Sequence, residues 1–182
     1  MKAMWSGIIV AASALVFGMS STAAALHYVC ELHGAAQFDP GLSIATNPSV
    51  PLDFAFQGDL TNCIGDTGGG RHLCAVGKLN LTSCLGNQTD GDEFVICKDS
   101  CTSTPGGTAE CDDEAAPIIH SSFSGACAGV VCTGMNVRDG AAYVVAFDAA
   151  TTEAALSACN PLVPGAPVTS GHFDGYEIRQ HR

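Results

Sequence analysis

Ten cysteines constrain this chain more than any other feature: Cys30, Cys63, Cys74, Cys84, Cys97, Cys101, Cys111, Cys127, Cys132 and Cys159. An even count in an exported chain points to five disulfides, whereas a cytosolic chain would keep its thiols reduced. The N-terminus argues for export. Lys2 is the only charge before Glu31, an apolar run follows from Ile8 to Phe17, and small residues lead from Ser20 to Ala25. Positive end, apolar middle and small-residue exit are the parts of a secretory signal. Ala23 and Ala25 suit the small pockets of a signal peptidase, so residues 1–25 are expected to be removed after Ala25. The apolar stretch is too short for a spanning helix, which needs roughly 20 residues. No other segment is long and apolar enough to span, so no membrane span is expected after cleavage.

Residues 26–182 then form one domain, and all ten cysteines fall in it. Ten cysteines allow roughly 945 pairings, and spacing alone does not choose among them. One bridge can be reasoned locally. Cys63 ends one strand signal, Cys74 precedes the next, and Gly68-Gly69-Gly70 lies between. A hairpin there predicts a Cys63–Cys74 bridge at its base. Zinc is the competing reading for Cys97/Cys101 and Cys127/Cys132, but the chain has no paired C-x2-C knuckles.

Charge excludes one class of partner. Of the seven Lys and Arg, Lys2 lies before the cut, while all 18 Asp and Glu lie after it. So acidic a surface repels phosphate backbones and anionic lipid, and nucleic acid is not expected as a partner.

Short apolar runs between turns dense in Gly, Asn, Asp, Pro and Ser predict an all-β fold. Phe54, Phe56, Gly58 and Leu60 alternate with Ala55, Gln57 and Asp59, the period of a half-buried strand. The segment Val76–Thr82 alternates likewise. Tyr143–Phe147 is continuously apolar and predicts a strand buried on both faces. A single short helix is predicted at 152–158, capped by Thr151 or Thr152, with Glu153 in its first turn. Phe56-Gln57-Gly58, Leu79-Asn80-Leu81, Phe123-Ser124-Gly125 and Phe173-Asp174-Gly175 recur as core strands, and a glycine there admits a ring or neighbouring backbone. Residues 97–116 lack periodicity. They read as an acidic loop held by Cys97, Cys101 and Cys111.

A family resemblance rests on several short motifs. Phe38-Asp39-Pro40-Gly41-Leu42 follows the first cysteine, and Phe54-x-Phe56-x-Gly58 leads to Cys63. A Gly77-to-Cys84 strand comes next, then Ala155-Leu156-Ser157-Ala158-Cys159 and Gly171-x-Phe173-x-Gly175. In that order the chain resembles small exported proteins common in actinobacteria. The resemblance implies an immunoglobulin-like or barrel-like secreted β domain and carries over no catalytic residue.

Chemistry-bearing residues are sparse. The G-x-S-x-G elbow of serine hydrolases is absent, and Ser122 and Ser124 beside His120 are neighbours rather than a triad drawn from distant segments. Asp53, Asp59 and Asp148 could supply the two carboxylates of a glycosidase, but residues 26–182 hold no tryptophan platform, only Tyr28, Tyr143 and Tyr176. A copper brace needs a first-residue histidine, and His27 follows Leu26. The remaining histidines, His33, His72, His120, His172 and His181, form no H-x-H pair. Asp90-Gly91-Asp92-Glu93 and Asp112-Asp113-Glu114 place oxygen ligands in loops, so calcium is the metal least at odds with the chain, though neither matches an EF-hand. The sequons Asn80-Leu81-Thr82 and Asn87-Gln88-Thr89 are taken as chance.

The expected fold is a disulfide-stapled antiparallel sandwich or Greek-key barrel with one short helix. The expected function is a secreted binding or structural module without catalysis or cofactor, recognising an extracellular ligand or protein. A small secreted hydrolase and a calcium-dependent adhesion module are the alternatives.

Overall fold

A computed structural model describes residues 26–45, 50–65, 67–112, 117–137 and 140–180. The expected signal segment, residues 1–25, lies outside the described residues. Ten strands form, in chain order: β1 (Leu26–Leu42), β2 (Leu52–Gly65), β3 (His72–Ser83), β4 (Gly86–Cys97), β5 (Cys101–Ser103), β6 (Ala109–Cys111), β7 (Ile119–Ala128), β8 (Val131–Asn136), β9 (Ala142–Phe147) and β10 (Val168–Gln180). One helix, α1 (Ala149–Ala158), joins β9 to β10.

The fold is all-β. Eight strands close into an antiparallel barrel in the order β1-β10-β9-β8-β7-β4-β3-β2. Of the two forms expected, a sandwich or a Greek-key barrel, the chain takes a barrel, but without the Greek-key crossover. Its strand order is up-and-down, because each barrel strand pairs with the next along the chain and β10 returns to β1. Tight turns between β3 and β4 and between β7 and β8 favour that order, since a short connection can only fold a strand back beside its neighbour.

Side chains alternate as the sequence periodicity predicts. From β2, Leu52, Phe54, Gly58 and Leu60 are buried in the barrel, with Phe56 packed against them. From β3, Leu79 and Leu81 point inward while Lys78 and Asn80 are exposed. The Tyr143–Phe147 strand differs from its prediction. Val145 is buried, but Val144 is 45% exposed, because among the described residues no layer covers the outer surface of β9. An apolar run therefore does not here mean a strand covered on both sides.

The segment 97–116 also departs from a structureless loop. β5 and β6 pair as a small hairpin, Cys101 opposite Cys111, and lie on the outside of β2, β3 and β4. Beneath them Ala55, Cys74, Val76, Val95, Cys97 and Ala109 form a second apolar cluster on the outer face. Gln57 Nε2 donates to the Ser103 carbonyl at 3.1 Å, Ser103 Oγ donates to the Phe56 carbonyl at 2.9 Å, and the Ala109 amide donates to Glu93 Oε2 at 2.8 Å.

Five disulfides use all ten cysteines: Cys30–Cys63, Cys74–Cys101, Cys84–Cys159, Cys97–Cys111 and Cys127–Cys132. Such a set belongs to an oxidising compartment. The Cys63–Cys74 bridge expected from the hairpin does not form. Cys63 packs against the interior core, whereas Cys74 belongs to the outer cluster. The barrel wall separates them. Cys63 instead meets Cys30 at a bulge of β1 and β2, with Cα atoms 4.1 Å apart. Asn62, at φ 48°, turns the chain there, a conformation asparagine tolerates well.

The helix starts three residues earlier than predicted. Asp148, not Thr151 or Thr152, is its N-cap and accepts from the Thr151 amide at 2.7 Å. Ala155 and Ala158 are fully buried against the barrel, and Cys159 ties the far end of the helix to Cys84.

Candidate functional site

The two ends of the barrel are built differently. At one end stand Tyr28, Leu32, Leu60, Ile96, Ile119 and Glu177, all buried. Tyr28 donates its hydroxyl to Glu177 Oε1 at 2.7 Å, and Ser121 donates to Asn136 Oδ1. Burial is the main cause that pushes the Tyr28 phenol upward, with the Glu177 charge and hydrogen bond adding to it. The phenol therefore stays protonated and acts as the donor. This end is a filled floor.

At the other end the turns of β3–β4 and β7–β8 border a cavity of about 90 Å³. Its lining is mostly carbon: Phe38, Leu42, Phe54, Leu79, Leu85, Phe123, Val145 and Phe147 among others. Two disulfides, Cys84–Cys159 and Cys127–Cys132, stand at its rim. The space arises because small residues, Ala36, Ala75, Gly125 and Gly129, occupy wall positions among the large ones. An eight-stranded barrel is just wide enough either to be filled by side chains or to hold one small ligand. Here the floor follows the first course and the mouth the second. Aromatic pairs fix the wall: Phe56 stacks on Phe173 with ring centres 4.0 Å apart, and Phe38 meets Phe147 edge-on at 6.1 Å.

Of the four lining residues with polar side chains, Thr133 is exposed, which leaves three: Asn87, Thr89 and Tyr143. Thr89 Oγ1 donates to Asn87 Oδ1 at 3.2 Å. Burial raises the Tyr143 phenol well above its ordinary value. Asn87 is 8% exposed, so the second sequon has its asparagine inside the barrel wall. None of the three was singled out as a site residue from sequence, because strand pattern marks them only as positions within β segments.

The outer face carries a different constellation. Asp174, His33, Asp59 and His72 stand in one register row across β10, β1, β2 and β3. His33 Nδ1 lies 2.7 Å from Asp174 Oδ1, and His72 Nδ1 lies 2.7 Å from Asp59 Oδ1. The hydrogen bond to Asp174 is the main cause that raises the His33 pKa above its ordinary value. Ser100 lines the same shallow groove of about 390 Å³, but among the described residues its hydroxyl bonds to neither imidazole.

The remaining sequence candidates do not converge. His120, Ser122 and Ser124 share the exposed face of β7, and His120 Nε2 is 3.6 Å from Glu93. Asp53 and Asp59 lie six residues apart on one strand, about 20 Å, beyond the separation of a glycosidase pair. Asp148 is occupied as a helix cap, and the Thr151 amide holds its carboxyl below the usual range. Among the described residues no three His, Cys, Asp or Glu side chains gather as a metal site. In the calcium segments, Glu93 holds the Ala109 amide, while the side chains of Asp90 and Asp92 and all of Asp113 and Glu114 lie outside the described residues. No described helix is long and apolar enough to cross a membrane.

Compared with protein-family models, with curated proteins and with solved structures, the chain matches none.

Proposed function

We propose that this chain is a secreted binding module without catalysis, and that the chamber at the mouth of the barrel is its ligand site. The observation that carries the reading is the cavity of about 90 Å³ in a wall otherwise packed with phenylalanine and leucine. Interiors normally close such space, because each unfilled volume forfeits contact energy. A dry apolar cavity takes up small apolar molecules. Export through a cleaved signal at residues 1–25 fits the five bridges, and so does the resemblance to small exported actinobacterial proteins.

The experiment is a titration with cyclopentane followed by methyl NMR. Saturable shifts at Leu79, Leu85 and Val145, with Leu32 at the floor unmoved, are the expected result. Shifts that never saturate, or that spread over outer-face methyls, overturn the reading.

A second reading, a small secreted hydrolase, rests on the His72–Asp59 pair beside Ser100. It requires Ser100 to become a nucleophile. A fluorophosphonate probe that labels the wild type and not Ser100→Ala would establish it, and no labelling would end it.

A further inference from the structure

The polar atoms of the chamber define what its ligand must carry. Thr89, Gly125, Gly134 and Tyr143 are register partners in one row across β4, β7, β8 and β9. Two adjacent glycines in this row leave a slot in the wall, and the Tyr143 side chain lies along it. A Cβ on Gly134 would stand 2.0 Å from the Tyr143 hydroxyl, and one on Gly125 would stand 3.2 Å from it. The hydroxyl has thus crossed Gly134 and reached Gly125, one strand spacing, about 4.8 Å, from the strand that carries Asn87 and Thr89. The phenol tip and the carboxamide belong to the same wall of the chamber.

The hydroxyl makes no hydrogen bond among the described residues, although its ring is packed against Phe123 at 6.0 Å. The phenol is only partly buried and its hydroxyl is not enclosed, so it is a free donor open to whatever enters the chamber. By contrast the Tyr28 hydroxyl at the floor is bonded to Glu177. The Asn87 oxygen already accepts from Thr89, so the group that carboxamide can offer a ligand is its NH2. Both wall groups are therefore donors in search of an acceptor oxygen. Among the described residues no Lys, Arg or His lines the chamber, and the chain carries a net charge of −11. An anionic head would enter with no counter-charge, which is costly.

We propose that the chamber takes a small neutral molecule, apolar except for one acceptor oxygen of the ketone, ester or ether kind, and that Tyr143 and Asn87 hold that oxygen. This rests on the chamber being a ligand site and adds the polar half of its specificity. Gly125 and Gly134 act by admitting the phenol against the wall, which keeps the chamber open in front of it.

Cyclopentanone, cyclopentane and pentanoate distinguish the alternatives, with dissociation constants read by methyl NMR on wild type, Tyr143→Phe and Asn87→Leu. Tyr143→Phe keeps the ring and its contact with Phe123. The expected result is that cyclopentanone binding weakens about fivefold in Tyr143→Phe, the effect of one net hydrogen bond, while cyclopentane changes less than about twofold. Asn87→Leu is expected to weaken the ketone in the same direction, and it tests the idea even where Tyr143→Phe is poorly folded. Equal ketone affinity in wild type and both variants overturns the polar recognition but leaves the chamber as an apolar site. Failure of both cyclopentane and cyclopentanone to saturate overturns the chamber itself. Pentanoate bound more tightly than cyclopentanone at neutral pH overturns the requirement for a neutral ligand.

Discussion

Floor and mouth of this barrel are made by the same eight strands with the same inward alternation, yet one is solid and the other hollow. At the floor the inward positions carry Tyr28, Leu32, Ile96 and Glu177, each at most 2% exposed. Near the mouth, Ala36, Ala75 and Gly125 are interspersed with phenylalanines, and the wall stands apart. The floor is held by packing, by the buried Tyr28–Glu177 hydrogen bond and by the Cys30–Cys63 bridge, whose Cys30 is the register partner of Glu177. The mouth has less to pack and is tied by Cys84–Cys159 and Cys127–Cys132. Both ends carry a staple, so what separates them is side-chain volume: large at the floor, and small residues set among the phenylalanines at the mouth.

The strongest way to break this contrast is to remove every staple. Native stability is usually only 5–15 kcal/mol, and disulfides typically contribute 2–4 kcal/mol each, without strict additivity. Full reduction is expected to unfold the protein near room temperature, while EDTA leaves the melting curve unchanged. Circular dichroism melts with reductant, with EDTA and with neither provide the check. An unchanged melt after verified reduction would mean that packing alone holds both ends.

The two mouth staples should also differ from one another. Cys84–Cys159 closes a separation of 75 residues and Cys127–Cys132 one of five. Chain-entropy arithmetic gives about 4.5 kcal/mol for the long loop and about 2 kcal/mol for the short one. Urea unfolding of Cys84→Ser/Cys159→Ser and of Cys127→Ser/Cys132→Ser is expected to show roughly that ratio. Equal losses would shift the explanation from the unfolded chain to native contacts at the rim.

Side-chain volume sharpens the contrast further. Leu32→Ala at the filled floor should cost about 3–4 kcal/mol, because the surroundings cannot collapse onto the void. Ala36→Val faces the chamber and should change stability by less than about 1 kcal/mol, since the added methyls enter space already present. Comparable losses in both would mean that the chamber wall is as tightly constrained as the floor.

The smallest expected effect is a pH dependence on the outer face. The folded pKa of His33 is raised by its bond to Asp174. Its contribution is therefore complete below the unfolded value, about 6.5, and is lost as pH rises through the higher folded value. The group is half exposed, so the effect is weak. Comparing wild type with His33→Asn, the stability difference should be larger at acidic than at alkaline pH. The opposite sign would show that Asp174 does not govern the imidazole.

Local features of this architecture were legible in the sequence. The Phe54–Leu60 alternation marks the inner face of β2, and the even cysteine count gives five bridges. What local pattern could not supply is which side of the wall a residue joins. Cys63 and Cys74 flank one hairpin loop and are near in sequence, but they belong to opposite faces. The apolar run of β9 hides the outward turn of Val144 for the same reason. The helix cap was misplaced by three residues because Asp148, at the end of the β9 run, competes with two nearby threonines. The chamber is the least legible part. Thr89, Gly125, Gly134 and Tyr143 meet through the register of four strands, and register is set by turns and bulges rather than by composition.

Closure of the barrel has a consequence for how copies of the protein meet. An open sheet ends in a strand whose free N–H and C=O groups invite another chain to pair with it. In the closed order β1 and β10 bond to each other along most of their length, so neither presents such an edge. The other described sheet, β5–β6, offers three-residue strands fastened to the barrel by Cys74–Cys101 and Cys97–Cys111. Crowded molecules therefore have almost no backbone through which to grow strand upon strand into fibrils.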